Sequence, residues 1–185
     1  PVVRYTRAYS IWTLLVIFLT MSFAGWLWEV SLHLVQDGVF VNRGILHGPW
    51  LPIYGTGCLI ILVLLFRFRR NPVLELVTAV IVCGILEYST AWYLEVTHDG
   101  QKWWDYTGYF LNLHGRICAE GLLVFGLGGM TIVYLAAPNL AYLTERLRRR
   151  ILIPLVLILM LLCSADQIYS SKHPNTGEGI TDYGP

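Results

Sequence analysis

Charged side chains interrupt the long apolar runs of this sequence, where each costs several kcal/mol unless it is paired or hydrated. Four of them are glutamates, and helical spacing places them in the same half of the apolar runs: Glu29, Glu87, Glu95 and Glu120. Glu87 is the deepest, about 15 residues or roughly 22 Å from the start of its run. The connecting segments add Asn42, Arg43, His47, Asp105, Asn112, His114 and Arg116 to the same layer. This spacing predicts a polar pocket.

The residue types in the pocket suit two kinds of chemistry. For ligand binding, Arg43 and Arg116 could face an anionic group, with the acids, amides and histidines around it; alternatively, Arg116 and Glu120 neutralise each other as an i,i+4 pair. The binding candidates are Glu29, Asn42, Arg43, His47, Glu87, Glu95, Asp105, Asn112, His114, Arg116 and Glu120. For catalysis, Glu87 or Glu120 would act as base and His114 or His47 as proton shuttle.

Other chemistries have less support in the sequence. No GxSxG segment is present, so nucleophilic catalysis is not expected. Only Glu29 and His33 show a regular acid–histidine spacing, so we expect neither a metal nor another cofactor. The four cysteines are scattered singly, which argues against disulfides and zinc. The arginines sit at the ends of apolar runs, not on a polar domain, so a nucleic-acid partner is not expected.

The composition points to a membrane. Of 185 residues, 56% are hydrophobic and 14% charged, whereas soluble domains carry about 25% charged residues. Five apolar runs approach the roughly 20 residues that a spanning helix needs: 10–35, 49–68, 72–96, 115–137 and 151–168. We therefore predict an all-α, polytopic integral membrane protein with a single transmembrane domain over 1–169 and no cleavable signal peptide.

Positive charge predicts the orientation. Nine arginines fall on one side of the five-span topology, against Arg43, Lys102, Arg116 and Lys172 on the other. By the positive-inside rule the N-terminus is cytoplasmic and the tail, 170–185, lies outside the plasma membrane. The tail has the composition of a disordered segment; if ordered, it would pack over the outer loops. Glu75, beside the cytoplasmic arginines, is interpreted as an interface charge.

The first four spans resemble two copies of one unit. "GWLWE" at 25–29 is similar to "GILEY" at 84–88, and "GILHGPWLPIYGTG" at 44–57 aligns with "GRICAEGLLVFGLG" at 115–128. Both copies run in the same direction, which predicts parallel repeats related by an axis along the membrane normal. The glycines favour close helix packing over a ligand role.

Five ordered motifs carry a family resemblance: "GWLWE", "NRGILHGPWLPIYG", "LEYSTAWYLE", "WWDY" and "NLHGRIC". Over roughly 10–135 the chain resembles the bacterial type IV ABC-transporter permeases of the CmpB-like family, and the eukaryotic transmembrane protein 229 family is similar. The resemblance leaves the fifth span and the tail outside it. It implies a transport component and a partner ATPase subunit, since the chain has no phosphate-binding GxxxxGK[ST] loop of its own.

Three functions remain open from the sequence. The first is a permease-like component that moves an anionic or polar small molecule, working as a homo-oligomer or with the ATPase. The second is a membrane enzyme that acts on lipid head groups at the outer leaflet. The third is a non-catalytic lipid-binding or assembly subunit. The nearly apolar inner halves of the spans count against a continuous transport path, whereas membrane lipids are partners in every case.

Overall fold

The computed structural model describes residues 4–181 and confirms the all-α prediction, with no strand in that part of the chain. The helices are α1 (Ile11–Asp37), α2 (Pro52–Leu64), α3 (Pro72–Thr97), α4 (Ala119–Thr131), α5 (Ala137–Arg146) and α6 (Arg149–Ser170). A π-helical segment, Ile132–Ala136, joins α4 to α5 without a break, and a 3₁₀ turn, Phe66–Phe68, follows α2.

Four helical stretches are long and apolar enough to cross a membrane: α1, α3, the continuous stretch Ala119–Arg146, and α6. The chain is therefore a polytopic membrane protein. The second predicted span, 49–68, is shorter than expected, because α2 has 13 residues. At 1.5 Å per residue it is about 20 Å long, less than the roughly 30 Å of the hydrocarbon layer. Pro52 begins the helix, and the 3₁₀ turn ends it.

Local sequence accounts for most of the helix ends. Ser10 caps α1 by accepting a hydrogen bond from the Thr13 amide, and Asn71 caps α3 directly before Pro72. The fourth helix begins at Ala119, later than predicted, because His114 and Gly115 have positive φ angles that no helix tolerates. Its far end runs on to Arg146, past the predicted break at 137.

The alternating helices give the bundle two chemically different ends. One, called here the basic end, holds the N-terminal segment 4–10, the turn 65–71 and the α5–α6 junction 147–148, with the exposed Arg67, Arg70 and Arg148. The other, the polar end, holds the connections 38–51 and 98–118 and the tail 171–181. The tail is ordered against the other two segments of the polar end, since the Asn175 amide donates to the Ile45 carbonyl.

Between the two ends lies an apolar core. Its buried members are Ile17, Cys58, Ile61, Leu62, Leu65, Ala79, Cys83, Ile132, Val133 and Ala137. Glycines bring α1 and α2 together: Gly25 lies against the Tyr54 ring, and Gly55 lies against the backbone carbonyl of Phe18. The interpretation of Glu75 as an interface charge is wrong, because its side chain is fully buried beneath the basic end.

Candidate functional site

Two glutamates from different helices meet at the inner side of the polar end. Glu87 of α3 is only 4% exposed, and its Oε1 accepts a hydrogen bond of 2.9 Å from the Tyr106 hydroxyl. Its Oε2 is buried without a partner. Glu29 of α1 accepts 2.6 Å from the Tyr54 hydroxyl. The two acid–tyrosine pairs lie within electrostatic range of each other, so two carboxyl groups are concentrated in one small volume.

Arg43 stands above Glu29 and is shared between the body of the protein and the tail. Its Nε lies 3.8 Å from Glu29 Oε2, while its Nη2 donates 3.3 Å to the carbonyl of Trp103. Its Nη1 donates to the carbonyl of Gly179 in the tail. The tail thus occupies one edge of the Arg43 guanidinium, which the sequence predicts to bind an anionic ligand.

Arg116 pairs with Glu95 of α3, not with Glu120. Its Nη2 and Nε lie 2.7 and 2.9 Å from Glu95 Oε2, and its Nη1 donates 2.9 Å to the Tyr88 hydroxyl. The hydrogen bond to Glu95 raises the pKa of Arg116, which keeps it cationic. The predicted i,i+4 pair with Glu120 is absent because Arg116 precedes the first residue of α4. Glu120 is exposed and accepts a long bond, 3.4 Å, from the Phe110 amide.

A small cleft of about 10 Å³, room for about one water molecule, lies beside the Arg116–Glu95 pair. Its walls are formed by Ala91, Leu94, Glu95, Lys102, Trp103, Trp104 and Arg116. Lys102 lies 3.1 Å from Asp105. Burial alone would raise the pKa of Asp105, but hydrogen bonds from Thr107 and the ammonium of Lys102 hold it below its usual value. The cleft is therefore lined by two cations, each paired with an acid, and by two tryptophans.

Glu87, Ala91 and Glu95 follow one another at intervals of four residues on α3, so they share one face of the helix. Ala91 and Glu95 line the cleft, which places Glu87 one turn, about 6 Å, further into the bundle. Glu87 itself does not line the cleft, and its unpartnered oxygen is buried deeper in the bundle.

Three other predicted site residues hold the loops in shape. The side-chain amide of Asn42 bridges Trp26 and the His47 carbonyl, at 2.6 and 2.8 Å. Asn112 accepts 3.2 Å from the Gly115 amide. His114 is exposed, and its Nδ1 lies 2.9 Å from the Tyr88 hydroxyl. These contacts bend the connections so that Arg43 and Arg116 return toward the bundle.

His47 belongs to a separate group with Asp166 and Ser170 of α6. Its Nδ1 is 3.0 Å from the Ser170 hydroxyl and 3.8 Å from Asp166. A catalytic triad needs the serine and the acid on different ring nitrogens, whereas here both approach Nδ1 and Ser170 is buried. Asp166 instead accepts from the Gly48 amide at 2.8 Å and the Trp50 indole at 2.7 Å. This group anchors the loop to the last helix.

The tail residue Asn175 closes the polar end. Its side chain donates 2.9 and 3.0 Å to the carbonyls of Asn42 and Gly44, and its own carbonyl accepts 3.0 Å from the Trp103 indole. The expectation that an ordered tail would pack over the outer loops agrees with these contacts. The tail therefore fixes Arg43 and Trp103 relative to each other.

The structure brings Glu29, Arg43 and Glu87 together in one group and Glu95 and Arg116 in a second group beside it, with Lys102 and Asp105 at the rim. Sequence reasoning missed the partners Tyr54, Tyr88, Tyr106, Asp166 and Asn175. Only Asp166 carried a signal, as an acid near the end of an apolar run. Among residues 4–181, no group of three or more His, Cys, Asp or Glu side chains could hold a metal ion, and the four cysteines are free and buried.

Comparison with known proteins places the chain in a family. The model of the family described as "Putative ABC-transporter type IV" matches residues 16–171, most of the chain. The chain belongs to this family. The match includes α6, so the expectation that the resemblance leaves the fifth span outside it is wrong. No curated protein matches the chain, and no solved structure does. Family membership and the apolar helices together support a multi-pass membrane transport component.

Proposed function

We propose that the protein is a permease-like transport component whose substrate site is the cleft of the polar end, and that the substrate is a small polar molecule with an anionic group. The burial of Glu87 is the observation that supports this proposal most. Glu87 is a nearly fully buried acid with an unpartnered oxygen, one helical turn below a cleft that Lys102 and Arg116 line. Such a group is costly unless something binds it.

The cleft offers a substrate two different contacts. Its anionic group would lie between Arg116 and Lys102, where a planar guanidinium suits a carboxylate or phosphate. A hydrogen-bond donor on the same molecule would reach the free oxygen of Glu87. Both cations already contact acids, Glu95 and Asp105, so the anionic group of the substrate would displace these carboxylates from the cations. That exchange suits reversible binding better than permanent capture.

Geometry favours transport over head-group catalysis. His114 and Glu120 are exposed and make no hydrogen bond with Glu87, and the His47 group is used to anchor a loop. The one hydrogen bond that Glu87 receives comes from a tyrosine hydroxyl. The catalytic candidates therefore do not form an acid–base pair around a common reacting position.

Orientation, location and partners complete the proposal. The basic end faces the cytoplasm of a bacterial plasma membrane, and the polar end with its tail lies outside, as the positive-inside rule requires. Residues 1–169 form one transmembrane domain. The cytoplasmic partner is an ATPase subunit or a second copy of the chain, contacting the amphipathic helix α5, and membrane lipids cover the apolar surface.

Mass spectrometry of the small molecules that co-purify with the protein tests the site. We compare the wild type with Glu87→Gln and Arg116→Gln, and use Glu120→Gln as the control, since Glu120 is an exposed acid outside the cleft. Every variant is checked for folding by thermal unfolding in detergent. We expect one polar, anionic species in the wild type and in the control, reduced at least about tenfold in both site variants, as the loss of a charge-assisted hydrogen bond predicts.

Two results would contradict the proposal. One is an equal amount of the species in well-folded site variants and in the wild type. The other is a co-purifying lipid, in place of a small polar molecule, that disappears from the site variants; it would move the assignment to lipid binding.

A further inference from the structure

A second buried acid of α3 lies beneath the basic end, about 18 Å from Glu87 along the helix axis. Glu75 is fully buried, and neither of its carboxyl oxygens has a hydrogen-bond partner. Two buried residues between the acids, Ala79 and Cys83, belong to the apolar core. Glu75 is therefore isolated from the cleft and from the site proposed there. A buried carboxyl group without partners is rare in folded proteins, since it is costly in its ionised form.

Arg69 lies within electrostatic range of Glu75 and is itself 1% exposed. Its guanidinium donates 2.9 and 3.1 Å to the backbone carbonyls of Tyr5 and Arg7, and also donates to the carbonyl of Leu62. It makes no ion pair with Glu75, and its Nε is buried without a partner. An arginine beside a carboxylate would normally bind it in preference to neutral carbonyls. The observed choice of partners fits a neutral Glu75.

Through these contacts Arg69 holds the basic end closed. Its side chain ties the N-terminal segment to the end of α2, and its backbone carbonyl accepts 2.8 Å from the Tyr134 hydroxyl. Tyr134 lies in the π-helical segment between α4 and α5, and such segments are frequent at functional sites. Four elements, the N-terminal segment, α2, the turn after it and the π-helical segment, thus meet at one residue.

The surroundings of Glu75 contain few other titratable groups. Arg69 comes from the turn after α2, Tyr134 and its ring partner Tyr5 from the π-helical and N-terminal segments, and Tyr9 lies over the Arg69 guanidinium at 5.5 Å. α2 contributes the apolar Ile61 and Leu62 to the core here, and Leu65 follows directly after the helix. Arg69 is consequently the group that an ionised Glu75 would attract.

We propose that Glu75 is a proton-binding site that gates the basic end through Arg69. With a proton on its carboxyl group, Glu75 leaves Arg69 on the three backbone carbonyls, and the end stays closed. When the proton leaves to cytoplasmic water, the carboxylate draws the guanidinium away from those carbonyls. The N-terminal segment, α2 and the π-helical segment then separate. This inference rests on the proposed transport function, because a gate here supplies the second opening that alternating access requires.

Hydrogen–deuterium exchange of the full chain in lipid nanodiscs tests the gate. Exchange is measured between about pH 5 and about pH 9, the range in which buried glutamates titrate, and is corrected for the intrinsic pH dependence. In the wild type we expect protection of 4–10, 62–71 and 131–138 to fall at least about tenfold toward high pH. The glutamine of Glu75→Gln mimics the protonated carboxyl group at every pH. In this variant the protection of the three segments should therefore stay constant over the whole pH range. Glu145→Gln removes the other acid of this end, an exposed partner of Arg7, and should behave like the wild type.

Constant protection in the wild type would overturn the gate, and this result does not depend on any variant folding. The same pH dependence in a folded Glu75→Gln protein as in the wild type would also overturn it. The exchange experiment tests the gate independently of the mass spectrometry that tests the cleft. A pH response in the three segments without a co-purifying molecule keeps the proton gate and rejects the substrate site, while the reverse rejects the gate alone.

Discussion

Asp166 shows how a single carboxylate can organise a loop. Besides the Gly48 amide and the Trp50 indole, it accepts 3.0 Å from the Ser170 hydroxyl and 3.2 Å from the His47 amide. Four donors from two parts of the chain thus converge on one side chain of α6. Hydrogen bonds to a charged acceptor are stronger than neutral ones, so Asp166 is a stability residue of the polar end.

Replacing Asp166 with alanine should lower the free energy of unfolding by about 2–4 kcal/mol, because several partly buried donors lose their acceptor together. Thermal unfolding in detergent measures the change. Asp37→Ala is the matched control, since Asp37 is exposed and contacts His33 at 3.0 Å; it should change stability by less than about 0.5 kcal/mol. Equal losses in the two variants would show that Asp166 is not the anchor described here.

Sequence reasoning at this scale identified individual residues better than their partners. Helical periodicity alone puts Glu87 and Glu95 on one face of α3. The partner of Glu95 could not be predicted, because Arg116 reaches it from a loop whose path depends on the positive φ angles of Leu111, His114 and Gly115. Leu111 belongs to a residue type that rarely adopts a positive φ, and histidine, although enriched there, adopts it too seldom for His114 to predict the turn. Tyr54 and Tyr106 were missed for a related reason, since tyrosines near a membrane surface are ordinary anchors.

At the scale of helices, the contact between α1 and α2 depends on the absence of a side chain at Gly55. A β-carbon there would overlap the Phe18 carbonyl and the Ser22 hydroxyl. The carbonyl belongs to the backbone of α1, which cannot rotate aside as a side chain can. Gly128 on α4 differs, because no atom outside its own helix backbone and chain neighbours lies within 4 Å of a β-carbon built there.

The pair of variants Gly55→Ala and Gly128→Ala separates packing from helix propensity. We expect Gly55→Ala to destabilise the protein by about 1–3 kcal/mol through overpacking. Gly128→Ala should be neutral or stabilising by up to about 1 kcal/mol, since alanine favours a helix more than glycine does. Chemical denaturation in mixed micelles gives both values. A destabilised Gly128→Ala protein beside an unaffected Gly55→Ala protein would contradict the packing described for α1 and α2.

Hydropathy predicted that the helices exist, but it did not predict where they begin and end. A run such as 49–68 is apolar except for Arg67, so composition cannot show that its first three residues precede the helix and that a 3₁₀ turn follows it. The π-helical segment had no signal either, because Ile132–Ala136 is an ordinary apolar sequence. The predicted parallel repeat of α1–α2 and α3–α4 stays a prediction.

For the whole molecule, the dominant property is an unequal distribution of charge. Arg67, Arg70, Arg148, Arg149 and Arg150 are all exposed at the basic end, while Arg43 and Arg116 at the polar end each contact a glutamate. Exposed arginines favour the cytoplasmic surface, where lipids are anionic. Paired arginines carry little net charge and do not oppose translocation of the polar end.

Thiol labelling checks the resulting orientation. The native cysteines are buried, so an added surface cysteine reacts first. A membrane-impermeant maleimide added to intact cells should label Lys172→Cys and leave Arg148→Cys unmodified, and inside-out vesicles should give the opposite pattern. Labelling of Arg148→Cys on intact cells would invert the topology and place the proposed cleft on the cytoplasmic side.

The contacts of Asn175 and Asp166 also determine when the polar end can be completed. A ribosome makes the chain from its N-terminus, so the loops 38–51 and 98–118 enter the membrane before the residues that tie them down exist. Until α6 has inserted, Trp50, Trp103 and the amide of Gly48 lack the partners described above. Newly inserted protein therefore passes through a period with an open polar end, when folding factors and quality-control proteases can reach the loops.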